Sequence, residues 1–414
     1  MKTASSPAGK ISLRQTFTAL KYPNYRLWFY GQMVSLFGTW MQSTAQGFLI
    51  YQLTDSPLYL GLVAGASGFA TWALMLFAGV VADRVPRRTV LVITQTVMML
   101  LAFVLAALTF LHWVQVWHIV LLAFLLGIAS AFDAPARQAF VLEMVEREDL
   151  TNAIALNATM FNTAVAIGPA AAGFAYAAFG PAWCFTLNGI SFIAVIAALL
   201  RMRLKPFSTT ARRSTVLGDL REGMGYVGRH PIIRTLTAMA GVGSLFAISA
   251  NTLIPAWAVS ILHGDATTNG LLQSARGLGA LASALVVASL GRFKFKGRVL
   301  TLGSFAFPGM LLAFSSVRWL PLSLLTLMGA GAAQVLMMNL ANALVQTQSP
   351  DHLRGRVMGV YSWVFFGMMP LGGLLMGALA ERIHEPLSIA LGAALAMAFA
   401  GMVWLFEPKV RALE

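Results

Sequence analysis

GVVADRVPRR, residues 79–88, joins two long apolar runs. Gly79, one carboxylate (Asp83) and three arginines (Arg84, Arg87, Arg88) are compressed into a hairpin far too short to be a soluble domain. Pro86 suits the first turn of the following helix, where its missing N–H is not needed. Asp83 can accept amide bonds at a helix N-terminus or pair with one of the arginines. Such a hairpin in a lipid-soluble chain suits a device that locks and unlocks two membrane bundles. A basic loop that only sets topology is the plainer alternative.

The rest of the chain agrees with a membrane setting. Of 414 residues, 58% are hydrophobic and 11% charged, the composition of an integral membrane protein. Residues 1–21 are polar and lack an apolar core followed by a small-residue cleavage site, so no removable signal peptide is expected. The single cysteine, Cys184, cannot form an internal disulfide, and no Cys/His cluster has metal-ligand spacing; no metal, redox site or cofactor is expected. The net charge of +14 sits in loops beside apolar runs, where it sets topology rather than binding nucleic acid.

A helix needs about 20 apolar residues to cross the hydrocarbon. Twelve stretches qualify: Trp28–Phe48, Leu58–Val81, Thr89–Leu111, Trp117–Ala134, Ala153–Phe179, Trp183–Leu200, Leu236–Ile261, Gly270–Leu290, Val299–Val317, Leu320–Ala341, Val357–Leu379 and Leu387–Phe406. With the N-terminus inside, the cytoplasmic segments collect 26 of the 29 basic residues, the outer loops hold only Arg318 and Arg382, and Arg276 falls within a span. That bias predicts both termini in the cytoplasm.

The longest polar interval divides an all-α chain into residues 1–200, a linker 201–230 and residues 231–414. Within the linker, Leu217, Leu220, Met224 and Val227 recur at helical spacing and predict an amphipathic surface helix. The halves echo each other in order: Arg26 answers Arg234, Gly61-Leu62 answers Gly270-Leu271, and Glu148-Asp149-Leu150 answers Asp351-His352-Leu353. Parallel six-span repeats predict a substrate site between them near mid-membrane.

These residues resemble the major facilitator superfamily, whose marker after the second span is a glycine, an Asp-Arg pair and a basic cluster; Pro86 replaces the usual glycine. The stretches 38–62, DAPARQAF (133–140), 146–157, GPAAAG (168–173) and PDHLRGRVMG (350–359) are similar to the subgroup of enterobactin exporters and macrolide-efflux proteins. The resemblance implies a twelve-helix fold of two pseudo-symmetric bundles, a passage lined by spans one, four, seven and ten, and an inner lock in which Asp83 contacts the other half. The glycine-proline signature of antiporters is present as Gly168, Pro169 and Gly173, which favours export. The fourth-span arginine of proton-coupled drug exporters is replaced by Ala123, four residues before Gly127.

Small residues four apart, Gly61/Gly65 and Gly373/Gly377, predict close helix approach in the outer half of the membrane; packing across the halves and packing within one are both open. The loop corresponding to 79–88 in the second half, LGRFKFKGR (290–298), has no carboxylate, so the lock is one-sided. Polar residues mark the candidate cavity: Ser35, Thr39, Gln42 and Gln46 on the first span, Asn251 on the seventh, Asn339 and Asn342 on the tenth. Amide bonding that merely joins helices is the alternative for each. Arg276 is placed roughly 9 Å below the outer end; it either snorkels or offers a fixed cation to anionic or hydrogen-bond-accepting cargo. Asp133, at the inner end of the fourth span, is the candidate for proton-linked gating, with capping or pairing to Arg137 as its structural alternative.

The expected activity is proton-driven export of an amphipathic organic molecule from the bacterial inner membrane, by a monomer in contact with membrane lipid. No GxxxxGK[ST] loop is present for ATP. A lysolipid flippase and a non-transporting sensor are the alternatives on the same scaffold, and an enzyme is disfavoured because the six histidines lie in or near loops without clustered partners.

Overall fold

The computed structural model describes residues 17–204, 216–290 and 294–413; the side chain of Asp83 lies outside the described residues. Every regular element among them is helical. Helices satisfy their backbone polar groups internally, as hydrocarbon demands. Ten stretches are long and apolar enough to cross a membrane. One of them, Arg354–Phe406, is two helices divided at His384, whose φ of 65° is left-handed. Pro23–Thr54 is a further 32-residue helix with a lower apolar content, bringing the architecture to twelve spans.

In order, the first six spans are Pro23–Thr54, Pro57–Arg84, Arg87–Phe110, Val116–Phe140, Leu150–Phe179 and Pro181–Arg201. The last six are Pro231–Ile261, Ala266–Leu290, Lys296–Ser316, Leu320–Gln348 and the two parts of Arg354–Phe406. Several overrun the minimum length, so the fourth ends at Phe140 rather than near Ala134. Asp133 therefore lies inside a helix and not at its end.

The seventh span departs most from expectation. Its one long α-helical stretch is Pro231–Val242; Gly243–Ala247 and Trp257–Ile261 are π turns, Ile248–Leu253 is 3-10, and Ile254–Ala256 is a single α turn between them. Pro255 cannot donate to the ladder, and serine hydroxyls take up freed carbonyls, with Ser249 Oγ donating to Ser244 O at 2.6 Å. Irregular turns inside a helix mark hinges and functional sites.

Five connections on one face pass through a left-handed residue: Asp55, His112, Gly180, His263 and His384. These turns let antiparallel helices follow each other with almost no loop. Asp55 and His263 close the first hairpin of each half, and Gly180 and His384 the last, so the turn geometry repeats with the pseudo-symmetry. We call this side the far face, and the side carrying residues 79–88 and the linker helix the terminal face.

The first bundle is centred on Trp28, Leu91, Phe140, Phe192 and Leu199, with the Trp28 and Phe140 rings edge to face at 5.5 Å. The second is centred on Leu253, Trp257, Phe307 and Phe314, with Trp257 against Phe314 at 4.4 Å. Outward, leucines, isoleucines and phenylalanines are exposed along the spans, and Trp113, Trp117, Trp183 and Trp319 stand at the far rim, the distribution of a lipid-facing belt.

The linker helix forms at Val216–Arg229, where the spacing predicts it. Arg356 pairs with Asp219 (2.7 Å) and Glu222 (2.9 Å), tying this helix to the start of the eleventh span. Gly223 permits that approach, since a Cβ there would sit 2.7 Å from the Arg356 carbonyl oxygen.

Candidate functional site

The two bundles meet along two seams. In the first, the second span packs against the eleventh. A Cβ on Gly61 would lie 2.7 Å from Gly373 O, and one on Gly377 would lie 2.7 Å from Pro57 O. Gly65 faces the Leu374 side chain and Gly68 faces Pro370. The glycine pairs thus serve packing across the halves rather than within one. Deeper along this seam Trp72 and Trp363 stack at 5.0 Å, and Trp72 Nε1 donates to Trp363 O at 3.1 Å.

The second seam joins the fifth and eighth spans. Gly173 lies against Ala266 and Gly270, Gly270 against Pro169 O, and Gly277 against Val165 O. Ala170 N donates to Ser274 Oγ at 2.8 Å. Two of the glycines behave otherwise: Gly168 packs on Trp40 of the first span, and Gly279 on Met328 of the tenth. Each gives close approach inside its own half.

Both seams run inward from the far face and stop. Spans two and eight start at the far face and spans five and eleven finish there, and the cross-half glycine contacts and hydrogen bonds described along the two seams reach inward to Trp72 on span two and Gly277 on span eight. Beyond them nothing lies within 4 Å of a Cβ on Gly79, Gly355 or Gly359. Ile154, Phe161, Leu285 and Val286 are exposed there. The bundles part toward the terminal face.

Residues 79–88 lie in the parted region and rest on their own half. Arg87 pairs with Glu143 at 2.5 Å. Arg88 donates to Leu200 O (2.8 Å) and Met202 O (3.4 Å), and Arg84 is exposed. No hydrogen bond or ion pair among the described residues joins this loop to residues 231–414, although the second span touches the linker helix Val216–Arg229; the Asp83 carboxylate lies outside the described residues. The side chains of 288–293, which include the start of the opposing loop, also lie outside the described residues.

The first-span polar stripe divides. Gln42 is buried and accepts from Asn188 Nδ2 of the sixth span at 2.7 Å, so it joins helices rather than facing open space. Ser35 and Gln46 are buried as well. Thr39 and Ser43 are exposed. At about 100° per residue they lie half a turn from Tyr30 and Val34, which are 52% and 47% exposed. One open face of this helix is apolar and suits lipid; the other is polar and suits water.

On the tenth span Asn339 is exposed and Asn342 half-buried, accepting from Gln346 Nε2 at 2.5 Å. Both belong to its terminal-side portion, where the bundles have separated. Exposed amides in hydrocarbon are costly, so Asn339 marks a wet surface. Asn251 is half-buried in the 3-10 turn of the seventh span, while neighbouring Ser244 is fully buried and donates to Phe365 O at 2.8 Å.

Arg276 lies ten residues after Ala266, ~15 Å from the far end. That is deeper than the 9 Å expected, because the helix starts four residues earlier than Gly270. Its backbone abuts Gly331 of the tenth span, its Nε is buried without a partner, and it forms no ion pair among the described residues. No described carboxylate compensates its charge at mid-depth.

Asp133 is 5% exposed. It accepts from Thr94 Oγ1 (3.0 Å) and Gln95 Nε2 (2.8 Å) of the third span and faces Arg137 Nε at 3.5 Å. A buried carboxylate needs such partners, and all of them belong to the first bundle.

Two seam residues stand in no motif of the sequence, Trp72 and Glu381, and a buried carboxylate near them at the far face, Glu385, bonds within the second half. Glu385 is 5% exposed and accepts from Ser260 Oγ at 3.0 Å, and Glu381 reaches across to the start of the second span. Their signal was faint: two carboxylates in the last outer turn of a chain nearly devoid of them.

Comparison with known proteins gives the arrangement its context. The multidrug efflux pump Tap of Mycolicibacterium fortuitum is 26% identical over 378 residues, covering 89% of this chain and 91% of Tap. The enterobactin exporter EntS of Citrobacter koseri is 24% identical over 362 residues, covering 87% and 86%. Among solved structures, a mutant of the nucleoside transporter NupG superposes with a TM-score of 0.73 at 14% identity, over 95% of this chain and all of that one, which shows a shared fold. The model of the transmembrane secretion effector family matches residues 14–414. With twelve spans, two glycine-lined seams and a parted terminal face, the chain belongs to the transmembrane secretion effectors, membrane transporters of the major facilitator fold and not enzymes.

Proposed function

We propose that this protein is a secondary transporter of the bacterial inner membrane that expels an amphipathic organic molecule by alternating access. The observation that carries the reading is the one-sided closure: the close glycine approaches and hydrogen bonds described along the two seams lie between the far face and Trp72 and Gly277, and nothing lies within 4 Å of a Cβ on Gly79, Gly355 or Gly359 toward the terminal face. The bias of basic residues makes the terminal face cytoplasmic, so cargo enters from the cytoplasm in this state. The moving bodies are residues 1–200 and 231–414, joined by 201–230; one chain holds both, so a monomer suffices.

Thr39, Ser43, Asn251, Asn339 and Asn342 offer hydrogen bonds along the passage, and Arg276 offers a charge. Gly79, Asp83, Arg84, Arg87 and Arg88 form the cytoplasmic lock when the bundles close on that side. Protons supply the energy, with Asp133 as the candidate coupling site: neutralising it removes the charge that faces Arg137. A lysolipid flippase is the second reading, favoured by the unpaired Arg276, which suits a phosphate headgroup.

Proteoliposomes under an imposed pH gradient, offered a catechol siderophore, a macrolide and a lysophospholipid in parallel, test both. Gradient-dependent movement of a siderophore or macrolide supports export. Movement of the lysophospholipid alone supports the flippase, and no gradient response with any cargo refutes proton coupling.

A further inference from the structure

The second span starts without a cap of its own. Ser56 is its N-cap residue, yet its side chain makes no bond to the following turn, and Pro57 at the first helical position has no N–H. The first free amide is therefore that of Leu58. Both groups turn to the same atom in the other bundle: Ser56 Oγ donates to Glu381 Oε2 at 2.6 Å and Leu58 N donates to it at 3.3 Å. The equivalent helix of the second half behaves differently. At the start of the eighth span Thr268 N donates to Asp265 Oδ1 at 3.0 Å and Asp265 N donates to Thr268 Oγ1 at 3.4 Å, a self-contained cap.

We propose that Glu381 is a positioning residue of the transport cycle: a carboxylate of the second bundle that caps the second span of the first and holds the far gate shut. A negative charge at a helix N-terminus is favoured by the unsatisfied amides and the helix dipole together. Because cap and helix belong to different bundles, that favourable contact exists only while the far face is closed. One turn further in, the Gly61–Gly373 contact brings the backbones close enough for the carboxylate to reach. Opening separates Glu381 from Ser56 and leaves the Ser56 hydroxyl and the Leu58 amide to water. The eighth span keeps its Asp265 cap throughout, so the start of that helix loses no cap when the bundles part. This inference rests on the rocking of two bundles proposed above.

The test is the distance between spin labels at two far-face sites, Trp113→Cys and Trp319→Cys, both 66% exposed and one in each bundle, in a Cys184→Ala background. Purified full-length protein in lipid nanodiscs needs no cargo. Glu381→Ala is expected to raise the ratio of long to short distances about two- to fivefold, the worth of a charge at an exposed helix end. Glu381→Gln, which keeps an acceptor, should recover part of the effect. Ser56→Ala should widen the distribution in the native background and add little to Glu381→Ala, because the two act through one contact. Gly61→Leu, which wedges the same seam apart, is the positive control. If Gly61→Leu lengthens the distance and every Glu381 and Ser56 variant leaves it unchanged, the cap has no gating role. If Gly61→Leu also changes nothing, the rocking of the bundles fails and the cap falls with it.

Discussion

Trp72 donates its indole N–H to the carbonyl oxygen of Trp363, 3.1 Å away, and this is the innermost hydrogen bond described between the second and eleventh spans. The two rings also stack, tilted by 31°. The pair sits where the closed seam gives way to the open part, so it is both the floor of the gate and the ceiling of the passage. Trp72→Ala is expected to remove about 0.5–1.5 kcal/mol of ring contact beyond the lost area, and to raise far-side labelling of an introduced passage cysteine. Trp72→Phe keeps ring contact and should fall between the two. A label-accessibility assay on vesicles reads both.

The glycines of one seam are not equivalent, and alanine substitution separates them. A Cβ on Gly61 meets Gly373 O at 2.7 Å, a backbone atom that cannot move aside alone; a Cβ on Gly373 meets only Thr252 Oγ1 at 3.3 Å and Ala64 Cβ at 3.5 Å. Gly61→Ala should destabilise the closed far face by about 1–3 kcal/mol and impair transport. Gly373→Ala should be tolerated. Equal transport by both variants in a flux assay would contradict this packing.

Gln42 and Asn339 predict opposite phenotypes. Gln42 is 5% exposed and bonded to Asn188, so Gln42→Leu leaves a buried amide unsatisfied and should cost about 1–3 kcal/mol of stability. The thermal midpoint falls, while cargo preference is unchanged in the protein that folds. Asn339→Leu should leave the midpoint nearly unaltered and change transport. Thermal unfolding alongside cargo competition distinguishes the two residues.

Acid dependence has one well-defined source outside the spans. Asp149 accepts from Lys21 Nζ at 2.6 Å and Tyr22 OH at 2.7 Å, bonds that hold its carboxyl below its ordinary 3.8. Because the folded value is the lower one, the stabilisation is present above the ordinary value and is lost as pH falls through the depressed one. Docking of residues 18–22 on the start of the fifth span should therefore be constant between pH 5 and 8. Hydrogen exchange at Ala19, whose amide donates to Asn152 Oδ1 at 2.9 Å, should show no pH-linked loosening over that range once intrinsic exchange is corrected. Any transport dependence there must arise elsewhere, and Asp133→Asn should abolish it if that residue couples protons.

Much of this was legible from residue order alone. Span number follows from apolar length, and the Gly61/Gly65 and Gly373/Gly377 spacings announce close contacts, because helix approach in lipid depends on local small residues. The linker helix was readable from its period. The rest depends on rotation and partners, which a single chain does not spell out. Gln42 and Thr39 share a stripe, yet one is spent on Asn188 and the other faces open space. Gly168 lies beside Pro169, but a rotation of about 100° sends it toward Trp40 instead of the eighth span. The broken seventh span was hidden because its composition stays apolar while Pro255 and the serines rearrange its hydrogen bonds. Glu381 was missed because its partners are 325 and 323 residues away.

The most direct test of one-sided access uses a single cysteine at Asn339 in the Cys184→Ala background, labelled with a membrane-impermeant maleimide in right-side-out and inverted vesicles. Labelling should be rapid from the side that carries residues 79–88 and slow from the other, with Gly61→Leu reversing part of the difference. Labelling from the far face alone, or none from either side, would contradict a wet passage between two bundles closed at the Gly61–Gly373 seam.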